Sequence, residues 1–151
     1  MVNRIVPIAA KRQRIPLRRC SFRFSGEHSS VTQARDWLSR RLKIVGVPEE
    51  ISDTALLLLS ELATNQVLHA LDPTHDTTGG DYFVRVFFSP ERLRVEVRDA
   101  QGRSPKFHIA DPDPDAEHGR GLFLVNALAS RWGRFESGRG PGMFFELRWE
   151  R

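Results

Sequence analysis

The sequence predicts an α+β fold, a two-layer α/β sandwich whose mostly antiparallel sheet is covered on one face by helices. Four of its β-rich segments come in adjacent pairs, which favours hairpins over the strand–helix alternation of a parallel sheet. Three other segments place apolar residues at helical spacing. A length of 151 residues, 40% hydrophobic and 28% charged, suits one domain built on one core.

The elements follow in order. Cys20 to Phe24 alternates apolar and polar residues, as a short strand does. Ser29 or Ser30 suits the start of a helix that runs to about Val45, where Gly46 and Pro48 end it. Its Val31, Ala34, Trp37, Leu38 and Leu42 share one face. A second helix is expected from Thr54, capped by Ser52 or Asp53, to about Leu71, where Asp72-Pro73 stops it. Tyr82 to Phe88 and Leu93 to Val97 form a hairpin around Ser89-Pro90-Glu91-Arg92. Residues 99–118 lack periodicity, and a loop of that length in a small domain is often a functional lid. Gly119 to Ser130 reads as a third helix. Arg131 to Ser137 and Met143 to Trp149 read as a second strand pair.

Composition excludes several classes. The longest strictly apolar run, Ala55 to Leu59, falls far short of the roughly 20 residues a membrane-spanning helix needs. One cysteine, Cys20, rules out an intramolecular disulfide and a multi-thiolate zinc site, and it fits a reducing cytoplasm. The net charge of +4 is unevenly spread. Residues 1–19 carry six basic and no acidic residues, whereas the remainder holds 17 basic and 19 acidic ones, a net of −2. The chain therefore divides into a flexible basic arm, residues 1–19, and a domain, residues 20–151. The arm's apolar stretch, Ile5 to Ala10, is broken by Pro7 and is too short for a secretory signal. It has no aromatic residue to stack on bases, which disfavours nucleic acid as a partner.

Three places carry potential chemistry. Glu61, Asn65 and His69 recur every fourth residue, a polar ridge flanked by Leu57, Leu58 and Leu68. The ridge is either an exposed polar pair or a carboxylate base beside an amide oxygen for a hard cation such as Mg²⁺. His69 reads as an ordinary helix histidine. His118-Gly119-Arg120-Gly121-Leu122 opens a helix, where glycines either permit a turn or let phosphate oxygens approach free N–H groups. Asp99 closes a strand, where an aspartate caps a turn or accepts a hydrogen bond from an exocyclic amino group.

Taken in order, Glu61-x-x-x-Asn65, Asp99 and Gly119-x-Gly121 resemble the Bergerat ATP-binding fold. Within it the chain is most similar to anti-sigma-factor serine/threonine kinases and their stand-alone regulatory relatives. The carrying segments are 58–65, 93–99, 119–133 and 144–147, and the likeness extends over about residues 20–149. The resemblance implies that Glu61 is the general base and that Asn65 binds Mg²⁺ bridging the phosphates of ATP. It implies that Asp99, with Gly102 in its box, reads the adenine amino group. Gly119, Arg120, Gly121 and Leu122 would then close over the phosphates. Three departures stand out. The aspartate box, usually DxGxG, reads Asp99-Ala100-Gln101-Gly102-Arg103, so its first glycine is missing and Gly102 comes one position late. The last strand opens on Gly142-Met143 where a threonine is usual, and the lid holds Asp111, Asp113, Asp115 and Glu117.

The resemblance thus implies an ATP- and Mg²⁺-binding kinase that phosphorylates a small antagonist protein and regulates a sigma factor by partner switching. Relatives often dimerise, so a homodimer is also an expectation. The alternative is a non-catalytic module of the same fold that sequesters a regulatory partner and binds ATP weakly or not at all. A histidine-kinase catalytic fragment fits less well, because no dimerisation helix with an acceptor histidine precedes the domain and the lid is short.

Overall fold

The computed structural model describes residues 19–70, 80–105 and 120–150. The elements run β1 (Arg19–Phe24), α1 (Ser29–Val45), α2 (Glu49–Ala70), β2 (Tyr82–Ser89), β3 (Arg92–Asp99), α3 (Arg120–Leu128), β4 (Arg131–Phe135) and β5 (Gly142–Arg148). The strands form one sheet in the order β1-β2-β3-β5-β4, with every neighbouring pair antiparallel. This is the expected α+β sandwich.

Alternation on the strands sorts their side chains. Tyr82, Val84, Val86 and Phe88 of β2 point inward beside Leu93, Val95 and Val97 of β3 and Met143, Phe145 and Leu147 of β5. The helices supply the other half of the core, with Trp37, Leu38 and Leu42 from α1, Leu58, Leu59 and Leu62 from α2, and Leu122 and Val125 from α3. Each fully buried leucine or valine contributes about 1.5–3 kcal/mol by leaving water. A buried hydrogen bond of 2.8 Å joins the Ser30 and Tyr82 hydroxyls and fixes α1 to β2.

Local chemistry explains the boundaries. Gly46 takes a left-handed conformation (φ 83°) and its N–H reaches the Leu42 and Lys43 carbonyls, which ends α1 where expected. Ser30 does not cap that helix; its side chain is spent on Tyr82. The second helix begins at Glu49 rather than Thr54. Ser52 N–H bonds the Pro48 carbonyl at 2.9 Å, and Glu49 and Glu50 lie in the first turn, where the helix dipole favours acidic residues. The β2–β3 turn is tighter than expected: only Pro90 and Glu91 lie between Ser89 and Arg92, and Glu91 takes φ 62°. The strand β1 takes in Arg19, so the residues before the sheet end at 18 rather than 19. No helix among the described residues is long and apolar enough to cross a membrane.

Candidate functional site

The site lies where α2 crosses the ends of β3 and β5. Leu62, Ala63 and Val67 fasten α2 to the sheet, which leaves Glu61, Asn65 and Gln66 half-buried along its flank. A small cavity there is lined by Leu62, Asn65, Gln66, Val97, Asp99 and Met143, with Arg103, Pro105, Pro141 and Gly142 at its rim. The fold thus brings Asn65 and Asp99 together from positions 34 apart in the sequence. Glu61 lies one helical turn before Asn65 and does not line the cavity.

Asp99 is 4% exposed and its carboxylate is densely bonded. Gln66 Nε2 donates to Oδ1 at 2.9 Å. The Gln101 and Arg103 backbone N–H groups donate to Oδ2 at 2.8 and 3.2 Å, and Arg103 Nε lies 3.3 Å from the same oxygen. The aspartate folds its own turn through Oδ2, the first of the two roles the sequence allowed, and its Oδ1 is bonded to Gln66. Gly102 adopts φ 77°, the conformation a side chain resists, so it supplies the turn although it sits one position late. The cavity as it stands, about 10 Å³, has room for about one water. Gln66 and Arg103 account for its closure, since both reach in to bond Asp99.

Glu61 is the other notable group. Burial raises its carboxyl above the ordinary glutamate range, and among the described residues it has no hydrogen-bond or ion-pair partner. An unbonded, desolvated carboxylate is poised to accept a proton, unlike one held in a salt bridge. Leu58 is fully buried beside it, but Leu57 is 39% exposed, so the ridge is packed on one side only.

The remaining expectations fall in several places. Gly119 lies outside the described residues, as do the lid carboxylates Asp111, Asp113, Asp115 and Glu117. Arg120 and Gly121 open α3, so the helix start is at the expected point. The Leu122 side chain is 6% exposed within the core, which leaves only its backbone for a ligand. Gly142 has a clear structural reason: an added Cβ would lie 2.6 Å from the Val97 carbonyl oxygen and 2.5 Å from the Phe135 ring. A threonine has no space there. Gln66 and Arg103 were not singled out from sequence. The available signal for Gln66 was its place one turn after the buried Leu62.

For a nucleotide, the residues fit in chemistry: a strand-end carboxylate oxygen for an amino group, aliphatic walls from Leu62, Val97 and Met143, and an amide at Asn65. Accommodation requires the Gln66 and Arg103 side chains to turn aside. For Mg²⁺, the described residues contain no cluster of three or more carboxylate, histidine or cysteine ligands. Asn65 fits a cation that arrives already carried by phosphates, the usual habit of Mg²⁺.

A five-stranded antiparallel sheet under three helices, with a strand-end aspartate facing a helix amide, defines a two-layer sandwich of the Bergerat class. The sequence matches the model of the histidine kinase-like ATPase domain over residues 24–149, and the chain belongs to that family. Among solved structures it is similar to a chain of the SiaB–SiaC complex from Pseudomonas aeruginosa, with a TM-score of 0.60 at 12% identity, covering 97% of this chain and 99% of that one. That likeness is one of fold. A search of curated protein sequences gave no match.

Proposed function

We propose that this chain is an ATP-binding regulator of the anti-sigma-factor type, a serine/threonine protein kinase that acts by partner switching. The carrying observation is Glu61: half-buried, without a bonded partner among the described residues, and one helical turn from an asparagine that shares a cavity with Asp99. Membership of a histidine kinase-like ATPase family supports nucleotide binding. The similar fold was solved as a complex of two proteins, which supports a protein antagonist or a sigma factor as partner here.

The residues divide the work. Asp99 Oδ1 accepts a hydrogen bond from the adenine amino group once Gln66 releases it, while Leu62, Val97 and Met143 cover the ring. Asn65 offers its amide oxygen to Mg²⁺, and the backbone at Gly119, Arg120, Gly121 and Leu122 meets the phosphates. Bound there, Mg·ATP supplies the transferable γ-phosphoryl group. Glu61 orients the acceptor hydroxyl and takes its proton, and its raised proton affinity favours that task.

One observation favours a second reading. Asp99 already holds four donor contacts and the cavity is small, which suits a non-catalytic module that captures a partner and binds ATP weakly. The two readings separate in one assay of γ-labelled ATP with a co-purified antagonist protein. The kinase reading expects label on a serine or threonine of the antagonist, lost in Glu61→Ala while ATP binding persists. Stable capture of the antagonist without label transfer would establish the second reading instead.

A further inference from the structure

The open face of the sheet carries charge that the composition hides. The helices pack on the face formed by Tyr82, Val84, Val95 and Phe145. By strand alternation and register, the other face presents Arg19 and Arg23 of β1, Arg85 of β2, Arg92, Arg94 and Arg98 of β3, Arg131 of β4 and Arg148 of β5, against only Glu96 and Glu146. Eight arginines and two glutamates make a face of net +6, whereas residues 19–151 together total −1. Both glutamates are committed to one arginine: Arg94 lies 2.9 Å from Glu96 and 3.0 Å from Glu146.

That leaves a group of arginines without carboxylate partners among the described residues. Arg85, Arg98 and Arg139 line a pocket of about 40 Å³ together with Ser21, Ser137, Phe83, Phe135 and Glu96. The space suits about three waters or one small oxyanion. Arg98 is 8% exposed, yet its one hydrogen-bond acceptor among the described residues is a neutral group, the Arg139 carbonyl at 3.2 Å. Its guanidinium carbon lies over the Phe83 ring, 4.6 Å from the centroid, a cation–π contact that helps to place the side chain. Burial first, then the charges of Arg85 and Arg139, weaken Arg98's hold on its proton, which Asp99 and Glu96 only partly oppose. Three like charges gathered around one pocket repel one another until an anion joins them.

We infer that Arg85, Arg98 and Arg139 form an anion site for a phosphate monoester, on the face of the sheet opposite the nucleotide cavity. The charge decides between anions. Glu96 is neutralised by Arg94, so the three guanidinium groups leave a strongly positive pocket that a doubly charged anion offsets better than a singly charged one. A phosphate monoester carries about −1.5 to −2 near neutral pH, whereas a carboxylate carries one charge and leaves the pocket uncompensated. Guanidinium forks match phosphate oxygens in pairs, and the Ser21 hydroxyl supplies a further donor at the rim. The site stands apart from the nucleotide reading, since none of its residues lines the Asn65–Asp99 cavity.

The test is an NMR titration of the full chain, following arginine Nε–Hε signals, with inorganic phosphate, O-phosphoserine and acetate in separate arms. The site predicts saturable shifts of Arg85, Arg98 and Arg139 with phosphate, and affinity for acetate at least tenfold weaker. Arg85→Gln and Arg139→Gln each weaken phosphate binding at least fivefold, while Asn65→Ala leaves it unchanged. Phosphoserine binding more tightly than phosphate identifies a phosphorylated side chain as the source; equal or weaker binding identifies a free phosphate. No saturable shift at tens of millimolar phosphate overturns the site. So does phosphate binding that Asn65→Ala abolishes and the two arginine variants leave intact.

Discussion

Gln66 Nε2 lies 2.9 Å from Asp99 Oδ1, a hydrogen bond that ties α2 to the end of β3. In the proposed reading it occupies the oxygen that would accept from an adenine amino group, so nucleotide binding would compete with this contact of the folded chain. Gln66→Ala removes the competitor and enlarges the cavity. It is expected to tighten ATP binding by three- to tenfold in calorimetry. It should also lower stability by about 1 kcal/mol in denaturant titration, the usual worth of such a bond.

Glu61 gives a pH signature. Burial raises its carboxyl above the range it has in the unfolded chain, so the folded state binds that proton more tightly. The resulting stability is fully present below the unfolded-state value and is lost as pH rises through the folded-state value. Glu61→Gln keeps a neutral side chain throughout. Its stability relative to the native protein should therefore rise as pH climbs above the ordinary glutamate value of about 4.3 and level off above the raised folded-state value, read from denaturant midpoints. A gain that does not change with pH would remove the desolvated-carboxylate account.

Gly142 tests the packing of the site's rim. An added Cβ meets the Val97 carbonyl oxygen at 2.6 Å, and that backbone is fixed by the β3–β5 pairing. Gly142→Ala should cost about 1–3 kcal/mol, the range of overpacked cores, seen as a lower melting temperature. Pairing it with Phe135→Ala clears the ring contact but not the carbonyl, so rescue should be incomplete.

The Ser30–Tyr82 bond makes a similar point inside the core. Tyr82→Phe strands a fully buried Ser30 hydroxyl and should cost about 1–3 kcal/mol. Adding Ser30→Ala should cost less than the sum of the single changes, because neither orphan is then left. Strict additivity in thermal melts would mean the two hydroxyls do not interact.

Much of this was legible in the residues. Element order and the α+β class followed from paired β-rich segments, and Gly46 marked the end of α1. The i, i+4 spacing of Glu61 and Asn65 put them on one ridge, and the structure seats Asn65 beside Asp99. The start of α2 was missed because Glu49-Glu50 behind Pro48 contributes through the helix dipole, which apolar periodicity does not register. Gln66 and Arg103 were missed because their bonds to Asp99 depend on how α2 and the 99–103 turn meet in space. The basic face was missed for a different reason. Net charge averages over a strand, whereas Arg85, Arg94 and Arg98 reach one side of it only.

The most direct measurement is a calorimetric titration of Mg·ATP into the native chain and into Asp99→Asn. The asparagine keeps an oxygen for the Gln101 and Arg103 N–H groups, so the turn survives, but it turns an NH₂ toward the cavity where the adenine amino group also donates. The account predicts saturable binding to the native chain and a loss of at least tenfold in Asp99→Asn, with the domain still folded and its melting temperature lowered only by the weakened Gln66 and Arg103 contacts. Absence of binding at millimolar Mg·ATP, or equal affinity in the two proteins, would contradict it.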